Sequence, residues 1–446
     1  MEAKKLEECT HEIDAEVNAF TVLEERPSGF RRRPIFEPLI NKKICDEDAA
    51  VQYPTYQQIR ELLARHKWVV LFDFASWFDQ FQLDTEVRKF FTFRHKDRCL
   101  SLTTLPMGFR ISCKIAQSYS NAILNSLELS HTGVAYVDNI LIASDNKEQA
   151  STHRNSFMRT CKEIGAIINE DEIQVSQCFS FLGEQYNLHD TNPTRCNTEK
   201  TLKKLTFLEQ FLLTAKSVSL RQCFAIYGLL FFARRVLDIS IAKYHDALRE
   251  LASASRQFAL HQSLASRINI QTSSDQLLDW TRRALRNEPV PIVQHQRSPN
   301  LTIYVDASAN GWGAISIDDS GAIMTISRRW THTQLTIINA QRSTEAEPLA
   351  LRLAVCYLVS TSKHSHALIF SDHLPLVYAF DSGYGKSKHY SYTVAFLEGF
   401  KPTTTFDLKH IAGVNNPADV LSRILPKPPL LPVTSVAGRP ISTYTP

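Results

Sequence analysis

No apolar run in this 446-residue chain approaches the roughly 18 residues that a membrane-spanning helix needs. The longest candidates, such as Gly228 to Ala233, fall far short, so no membrane partner is expected. An apolar leader is missing as well. The start, Met1-Glu2-Ala3-Lys4-Lys5, has no h-region of a secretory signal, which points to an intracellular chain of cytoplasm or nucleus, not a secreted one. Paired cysteines are absent. The nine cysteines are scattered from Cys9 to Cys356, none with CxxC spacing and none in a Cys/His cluster of zinc type. Reduced buried thiols are expected rather than a disulfide framework. A large charge excess is also missing: 50 Lys and Arg against 46 Asp and Glu leave +4, which permits nucleic-acid binding without arguing for it.

What is present is a core. Hydrophobic residues make up 43% and charged residues 22%, the balance of a globular protein, and the length suggests about three structural units. Residues 1 to 30 are polar and mixed, read as a helix and then a loop at Arg26-Pro27-Ser28-Gly29, ahead of the basic cluster Arg31-Arg32-Arg33. A helix is expected over 54 to 66, opened by Pro54-Thr55, and another from Lys114 to Leu129. The run Trp68 to Phe72 reads as a strand ending at Asp73. Gly133 to Ser144 reads as a hairpin with Asp138-Asn139 at its turn. From 199 to 285 the apolar spacing turns helical, as in Leu202, Leu205, Leu208, Leu212 and Leu220, Phe224, Tyr227. Three prolines over 288 to 300 suggest a linker, a second α/β pattern runs from 301 to about 424, and the tail from Leu425 to Pro446 holds six prolines.

Two constellations carry chemistry. In the first, Asp73 ends an apolar strand and Asp138 sits in a tight turn. Such carboxylates are costly to bury without a cation or donors, and together they make a hard oxygen site suited to Mg²⁺. Read singly, each is as well explained as an ordinary turn aspartate. In the second, the strand Leu301 to Asp306, a helix carrying Glu345 and Glu347, the strand Leu368 to Asp372 and the segment Asn416-Pro417-Ala418-Asp419 could converge on one pole of a sheet. Such a cluster repels itself unless metals neutralise it.

The first set resembles reverse transcriptases. Leu71 to Gln80 looks like their motif A, Leu105-Pro106-Met107-Gly108-Phe109 like motif B, Tyr136-Val137-Asp138-Asn139 like motif C, and Phe181-Leu182-Gly183 like the primer grip, in the family's order and spacing. The resemblance implies a right-hand polymerase of fingers, palm and thumb, with α+β and α/β domains. Asp73 and Asp138 would hold two metal ions, with the Phe74 carbonyl beside them. Phe78 would be the steric gate against a 2′-hydroxyl. Pro106, Met107 and Gly108 would floor the incoming nucleotide, with Tyr136 and Asn139 alongside. Arg32 and Arg33 would meet the triphosphate; a solvated basic face is the plainer reading of them. Three positions depart from the family: Asn139 replaces a second aspartate, the acidic Asn169-Glu170-Asp171-Glu172 replaces a lysine, and Phe36-Glu37 stands in the fingers pattern. The region before Asp73 is short, so reduced fingers are expected.

The second set resembles ribonuclease H, with Asp306, Glu347, Asp372 and Asp419 as an acidic tetrad and His410 on a loop that assists product release or proton transfer. Glu347 is favoured over Glu345 because Ala350 and Ala354 follow it as in that family's helix. The Asn-Pro-Ala-Asp-Val-Leu-Ser-Arg string is typical of retroelements.

The resemblance as a whole implies a retrotransposon enzyme of long-terminal-repeat or tyrosine-recombinase (DIRS- or VIPER-like) type, acting on RNA template, DNA primer, RNA–DNA hybrid and dNTPs. It implies two Mg²⁺ per site, with Mn²⁺ as the alternative ion. The expected boundaries are 1–190 for fingers and palm, 191–287 for a helical thumb or connection, 288–300 for a linker, 301–424 for the RNase H domain and 425–446 for the tail. Asn139 keeps open an alternative: a polymerase-impaired or domesticated copy that retains only RNase H activity or hybrid binding. A scaffold without catalysis is a third reading, disfavoured by the intact tetrad. The oligomeric state cannot be read from the sequence.

Overall fold

A computed structural model describes residues 5–9, 13, 15–26, 29–293, 298–359, 365–400 and 403–424. The chain divides into two compact units, Met1–Thr198 with Glu288–Gln294, and Glu199–Asn287 with His295–Pro446. The helical stretch after residue 198 thus groups with the C-terminal α/β fold. The tail expected from Leu425 onward lies outside the described residues.

The first unit is organised by an antiparallel four-stranded sheet in the order Gly133–Tyr136, Asn139–Ser144, Trp68–Asp73, Gln174–Ser176. Its central strand is apolar at every position before Asp73 because both faces are covered. Val70 and Phe72 join Phe74, Trp77, Ala116, Ile123, Ile140 and Phe157 in one core, fed by the helices Ser112–Ser126 and Lys147–Glu163. Val69 and Leu71 face the other way, onto Ile59 and Leu63 of the helix Tyr56–Leu63 and onto Phe179, Phe181 and Tyr186. Burying each large side chain contributes roughly 1.5–3 kcal/mol. That suffices to hold a carboxylate at the strand's end. The helix Tyr56–Leu63 begins at a capping box, Thr55 and Gln58 each satisfying the other's backbone N–H.

Three expectations change here. Residues 17 to 38 form a ten-by-ten-residue hairpin, Val17–Arg26 with Gly29–Pro38, in place of the helix read near the N-terminus. Cross-strand pairing outweighs the local polar composition, which carries no helical period. Pro27 and Ser28 lie outside the described residues. The expected linker contains a strand, since Val290–Pro291 pairs with Thr194–Asn197 at the edge of the sheet that also holds Cys178–Phe181 and Glu184–Asn187. A proline is tolerated there because an edge position need not donate. That same sheet carries the mixed unit on to Thr198 rather than to residue 190.

The second unit contains the helices Glu199–Leu212, Leu220–Leu237, His245–His261 and Ser274–Arg286. Their buried residues include Leu205, Leu208, Leu212, Tyr227 and Trp280. It also contains a five-stranded sheet in the order Ile323–Arg329, Gly311–Asp318, Leu301–Ser308, His366–Ser371, Thr405–His410. The first three strands are antiparallel and the last two join in parallel. The helix Ser343–Val359 packs on the sheet through Ala346, Leu349, Ala350, Leu353 and Ala354. The architecture is mixed α/β and multidomain. No helix among the described residues is long and apolar enough to cross a membrane.

Candidate functional sites

The first site grows from strand register. Asp73, the last residue of the Trp68–Asp73 strand, lies opposite Asn139, and the Phe74 N–H donates to the Asp138 carbonyl at 3.0 Å. The two aspartates therefore leave the sheet side by side. The turn itself sits one residue earlier than expected: Tyr136 pairs with Asn139, so Val137 and Asp138 are its two central residues. Val137 has φ +57°, a left-handed conformation that β-branched residues rarely adopt. It is held there by the helix Ser112–Ser126. The Val137 N–H donates to Gln117 Oε1 at 2.8 Å, and Ser120 Oγ donates to the Val137 carbonyl at 2.6 Å. Each carboxylate meets an amide. Asn139 Nδ2 donates to Asp138 Oδ1 at 2.9 Å, and Asn169 Nδ2 to Asp73 Oδ2 at 2.5 Å.

Around this pair, Phe78 lies on the short 3-10 turn Trp77–Gln80, half-buried between two hydrophobic clusters. Tyr136 is stacked on Tyr53 with ring centroids 4.8 Å apart. Pro106 is buried and Met107 is 47% exposed. A Cβ on Gly108 would collide with the Phe36 carbonyl oxygen, so the glycine is needed where strand Gly29–Pro38 crosses it. That is a packing requirement of the chain itself, distinct from the expected approach to a nucleotide. Arg32 and Arg33 stand on that strand opposite Leu23 and Val22. Phe181 and Glu184 flank a two-residue turn whose members, Leu182 and Gly183, both have positive φ, as a type I′ hairpin requires. Tyr56 Oη donates to the Leu182 carbonyl at 3.3 Å, and Arg60 pairs with the fully buried Glu184 at 2.9 Å.

The second site gathers Asp306, Glu347 and Asp372, whose carboxylate oxygens lie within 4.8 Å of one another. Asp306 comes from the Leu301–Ser308 strand and Asp372 follows the parallel His366–Ser371 strand, so the two emerge at the same sheet end. Glu347 comes from the covering helix. Its Oε1 accepts from the Ala307 N–H at 3.2 Å, while Oε2 is buried with no hydrogen-bond partner among the described residues. Burial, then the charges of Asp306 and Asp372, raises the Glu347 carboxyl well above the usual range. Asp306, 4% exposed, is pushed up to about 6 by burial, with Asp372 and Asp419 adding to the rise. Ser422 Oγ donates to Asp306 Oδ2 at 2.5 Å and opposes it. Asp419 stands outside the three-carboxylate group, its Oδ1 accepting from Arg423 at 2.6 Å. His410 is exposed at the end of the Thr405–His410 strand, opposite Ser371. Glu345 instead accepts from the Asn339 N–H at 2.8 Å.

Sequence reading passed over Gln117, Ser120, Asn169 and Ser422. Ser422 lies inside the Asn-Pro-Ala-Asp-Val-Leu-Ser-Arg string, and Asn169 opens the acidic segment that stands where a lysine is expected. Gln117 and Ser120 follow motif B on a helix and lie one turn apart, a spacing that aims both at one neighbour.

Comparison with known proteins bears on both units. The family model described as reverse transcriptase (RNA-dependent DNA polymerase) matches residues 16–186. The retrovirus-related Pol polyprotein from transposon 412 of Drosophila melanogaster is 22% identical over 401 residues, covering 86% of this chain and 29% of the relative. The enzymatic polyprotein of cauliflower mosaic virus (strain Strasbourg) is 24% identical over 414 residues, 90% of this chain and 56% of the relative. The chain thus spans from under a third to just over half of these relatives. Among solved structures, the foamy viral protease-reverse transcriptase in complex with RNA/DNA hybrid aligns with a TM-score of 0.52 at 15% identity, over 98% of this chain and 54% of that one. A form of the same protein in complex with double-stranded DNA gives 0.52 at 14% identity, over 91% and 67%. These two show a shared fold. Residues 16–186 thus match the reverse transcriptase family model, and most of the chain is similar to a retrovirus-related Pol polyprotein and to a viral enzymatic polyprotein.

Proposed function

We propose that the chain is an RNA-directed DNA polymerase that also degrades the RNA strand of the hybrid it makes. The observation that carries this reading is the occurrence of two separate carboxylate sites, one in each unit, each at the end of a buried strand. Asp73 and Asp138 would hold divalent cations in the first, and Asp306, Glu347, Asp372 and Asp419 in the second. The donor sets fit such ions: they are hard oxygens, and the buried, partnerless Oε2 of Glu347 beside two further carboxylates is what a cation would relieve. When bound, divalent ions lower the pKa of the attacking hydroxyl or water and neutralise charge on the leaving oxygen; Mg²⁺ is the favoured identity, with Mn²⁺ as alternative.

The chain's own side chains do the rest. Asn139 and Asn169 fix the orientation of Asp138 and Asp73. Phe78 limits the space beside the sugar, Tyr136 with Met107 and Gly108 faces the nucleotide, and Arg32 and Arg33 attract phosphate. The Phe181-Leu182-Gly183 turn holds the primer end, and the helices between 199 and 287 carry duplex through phosphate contacts. In the second site a cation would offset the burial that raises the Glu347 and Asp306 carboxyls, and His410 serves product release. The proposed substrates are RNA template, DNA primer, dNTPs and RNA–DNA hybrid. The foamy viral complexes with hybrid and duplex DNA support that choice.

The test pairs primer extension on an RNA template with cleavage of a labelled hybrid. Asp73→Asn should lower extension by on the order of a thousandfold, the scale of losing a charge-stabilising ligand, and leave cleavage intact. Asp372→Asn should do the reverse. Extension that survives Asp73→Asn would remove the polymerase assignment. A second reading, a chain impaired as a polymerase, rests on Asn139; a large gain in extension on Asn139→Asp would favour it.

A further inference from the structure

The strained turn that carries Asp138 is tied to the segment that carries Phe78 through two buried side chains. Trp77, 5% exposed, begins the Trp77–Gln80 turn and lies flat on Phe74 with centroids 3.9 Å apart and planes 10° apart. Its Nε1–H donates to Ser120 Oγ at 3.0 Å, with a longer contact of 3.4 Å to the Ala116 carbonyl. Ser120 is fully buried, and its own proton goes to the Val137 carbonyl at 2.6 Å. The hydroxyl therefore accepts from one motif and donates to another. Gln117, 3% exposed, grips the same hairpin from the next turn of the helix, through the Val137 N–H and the Ala135 carbonyl. A buried hydroxyl with both roles filled is rigid, because breaking either bond leaves a polar group in an apolar core. A valine with positive φ persists only where its surroundings hold it.

We infer that Trp77 and Ser120 are positioning residues for nucleotide addition, forming a relay that sets Asp138 according to the placement of the Phe78 segment. The inference rests on the polymerase reading above. Phe78 follows Trp77 directly on the Trp77–Gln80 turn, so a sugar that displaces Phe78 would displace that turn. The relay passes that movement to Val137 and so to the neighbouring aspartate. A correct nucleotide then tightens the metal-bearing turn, and an ill-fitting sugar leaves it loose. The Ser120–Val137 bond sets the turn directly, while Trp77 acts through Ser120.

The experiment uses the full chain in primer extension on an RNA template with Mg²⁺, comparing wild type with Ser120→Ala, Ser120→Thr, Trp77→Phe and the double variant Trp77→Phe/Ser120→Ala. Loss of one buried hydrogen bond sets the scale of about tenfold. Ser120→Ala should lower kcat by about that factor with dNTP KM little changed, raise the Mg²⁺ concentration for half-maximal rate, and weaken discrimination between deoxy- and ribonucleotides. Ser120→Thr, which keeps the hydroxyl, should restore most of the rate. The double variant should match Ser120→Ala, because two members of one relay are not additive. Independently of activity, the indole N–H resonance lost in Trp77→Phe should move upfield and lose exchange protection in Ser120→Ala.

A kcat for Ser120→Ala within twofold of wild type, or single effects that multiply in the double variant, overturns the relay while leaving the polymerase reading standing. Wild type that fails to extend at any Mg²⁺ concentration overturns the polymerase reading and the relay with it. Should Ser120→Ala fail to fold, Trp77→Phe and Ser120→Thr carry the same comparison.

Discussion

The side-chain amide of Asn169 donates to Asp73 Oδ2 at 2.5 Å, and the Asn169 backbone N–H donates to the Asp73 carbonyl at 2.9 Å. One residue therefore fixes both the backbone and the carboxylate of the aspartate that ends the central strand. An amide donor lowers the cost of a half-buried carboxylate without adding a charge that competes for a cation. Asn169→Ala should reduce primer extension by about tenfold, the scale of one charge-assisted hydrogen bond. Asn169→Asp should be worse at limiting Mg²⁺, since it sets a second carboxylate against the first, and should recover part of the loss at high Mg²⁺. Titrating extension rate against Mg²⁺ for the three proteins separates these outcomes. A rate for Asn169→Ala equal to wild type at all concentrations would show that Asp73 needs no such support.

Gly108 gives a prediction that distinguishes packing from substrate contact. Its missing Cβ would collide with the Phe36 carbonyl, and its own carbonyl accepts from Asn41 Nδ2 at 2.9 Å. Gly108→Ala should therefore destabilise the first unit by about 1–3 kcal/mol, the usual cost of forcing extra volume into a tight site. The neighbouring Met107, 47% exposed, has no such constraint. Met107→Ala should leave the melting temperature in place and raise the dNTP KM. Equal melting temperatures for Gly108→Ala and wild type would leave nucleotide approach as the glycine's one role.

Much of this was legible in the chain because the signals were local or periodic. The Trp68–Asp73 strand announced itself by a continuous apolar run ending in a carboxylate. Pro54-Thr55 marked a helix start, and strands ending in Asp306 and Asp372 pointed to one pole of a sheet. The N-terminal hairpin was illegible for a physical reason: the pairing of Phe20 with Ile35 or Val22 with Arg33 is a cross-strand relationship with no trace in local composition. The turn at Val137 was misplaced by one residue because Asp-Asn is better turn chemistry than Val-Asp. The fold overrides that preference with Gln117 and Ser120, which sit 20 and 17 residues away in sequence. The strand at Val290–Pro291 was hidden by its prolines, which composition reads as linker.

Asp306 predicts a dependence of stability on pH. Its folded-state pKa, raised to about 6, lies above the ordinary carboxylate value, chiefly through burial. The protonated form is therefore favoured by folding. The stabilising contribution is fully present below the ordinary carboxylate value and is lost as pH rises through about 6. Glu347 shifts in the same direction. In chelator, urea denaturation of wild type should lose more stability between pH 5 and 8 than Asp306→Asn does. At pH 8 the variant should be the more stable by about 2 kcal/mol, the order expected for a shift of this size. Divalent cation should close the gap, because it neutralises wild type and has less to bind in the variant. A wild type and a variant with parallel pH curves would show that the burial of Asp306 costs nothing.

Arg60 and Glu184 make the last case. The Arg60 guanidinium donates to both oxygens of Glu184, which is fully buried and also accepts from Tyr186 Oη at 2.8 Å. Glu184 is the first residue after the Leu182–Gly183 turn, and Tyr56 of the same helix reaches the Leu182 carbonyl. The helix Tyr56–Leu63 thus anchors that turn at two points. Arg60→Met removes the charge partner of a buried carboxylate, which typically costs about 3–5 kcal/mol, whereas replacing both partners by apolar side chains is often close to neutral. Arg60→Met should therefore unfold at markedly lower urea, and Arg60→Met/Glu184→Leu should recover most of the loss. The turn should behave differently from the global stability. With one of the two anchor points gone from both variants, primer binding, measured as the dissociation constant for a template–primer duplex, should weaken in the double variant even where its stability is restored. Recovery of both stability and primer binding in the double variant would mean that packing alone shapes the turn and the ion pair is dispensable to it.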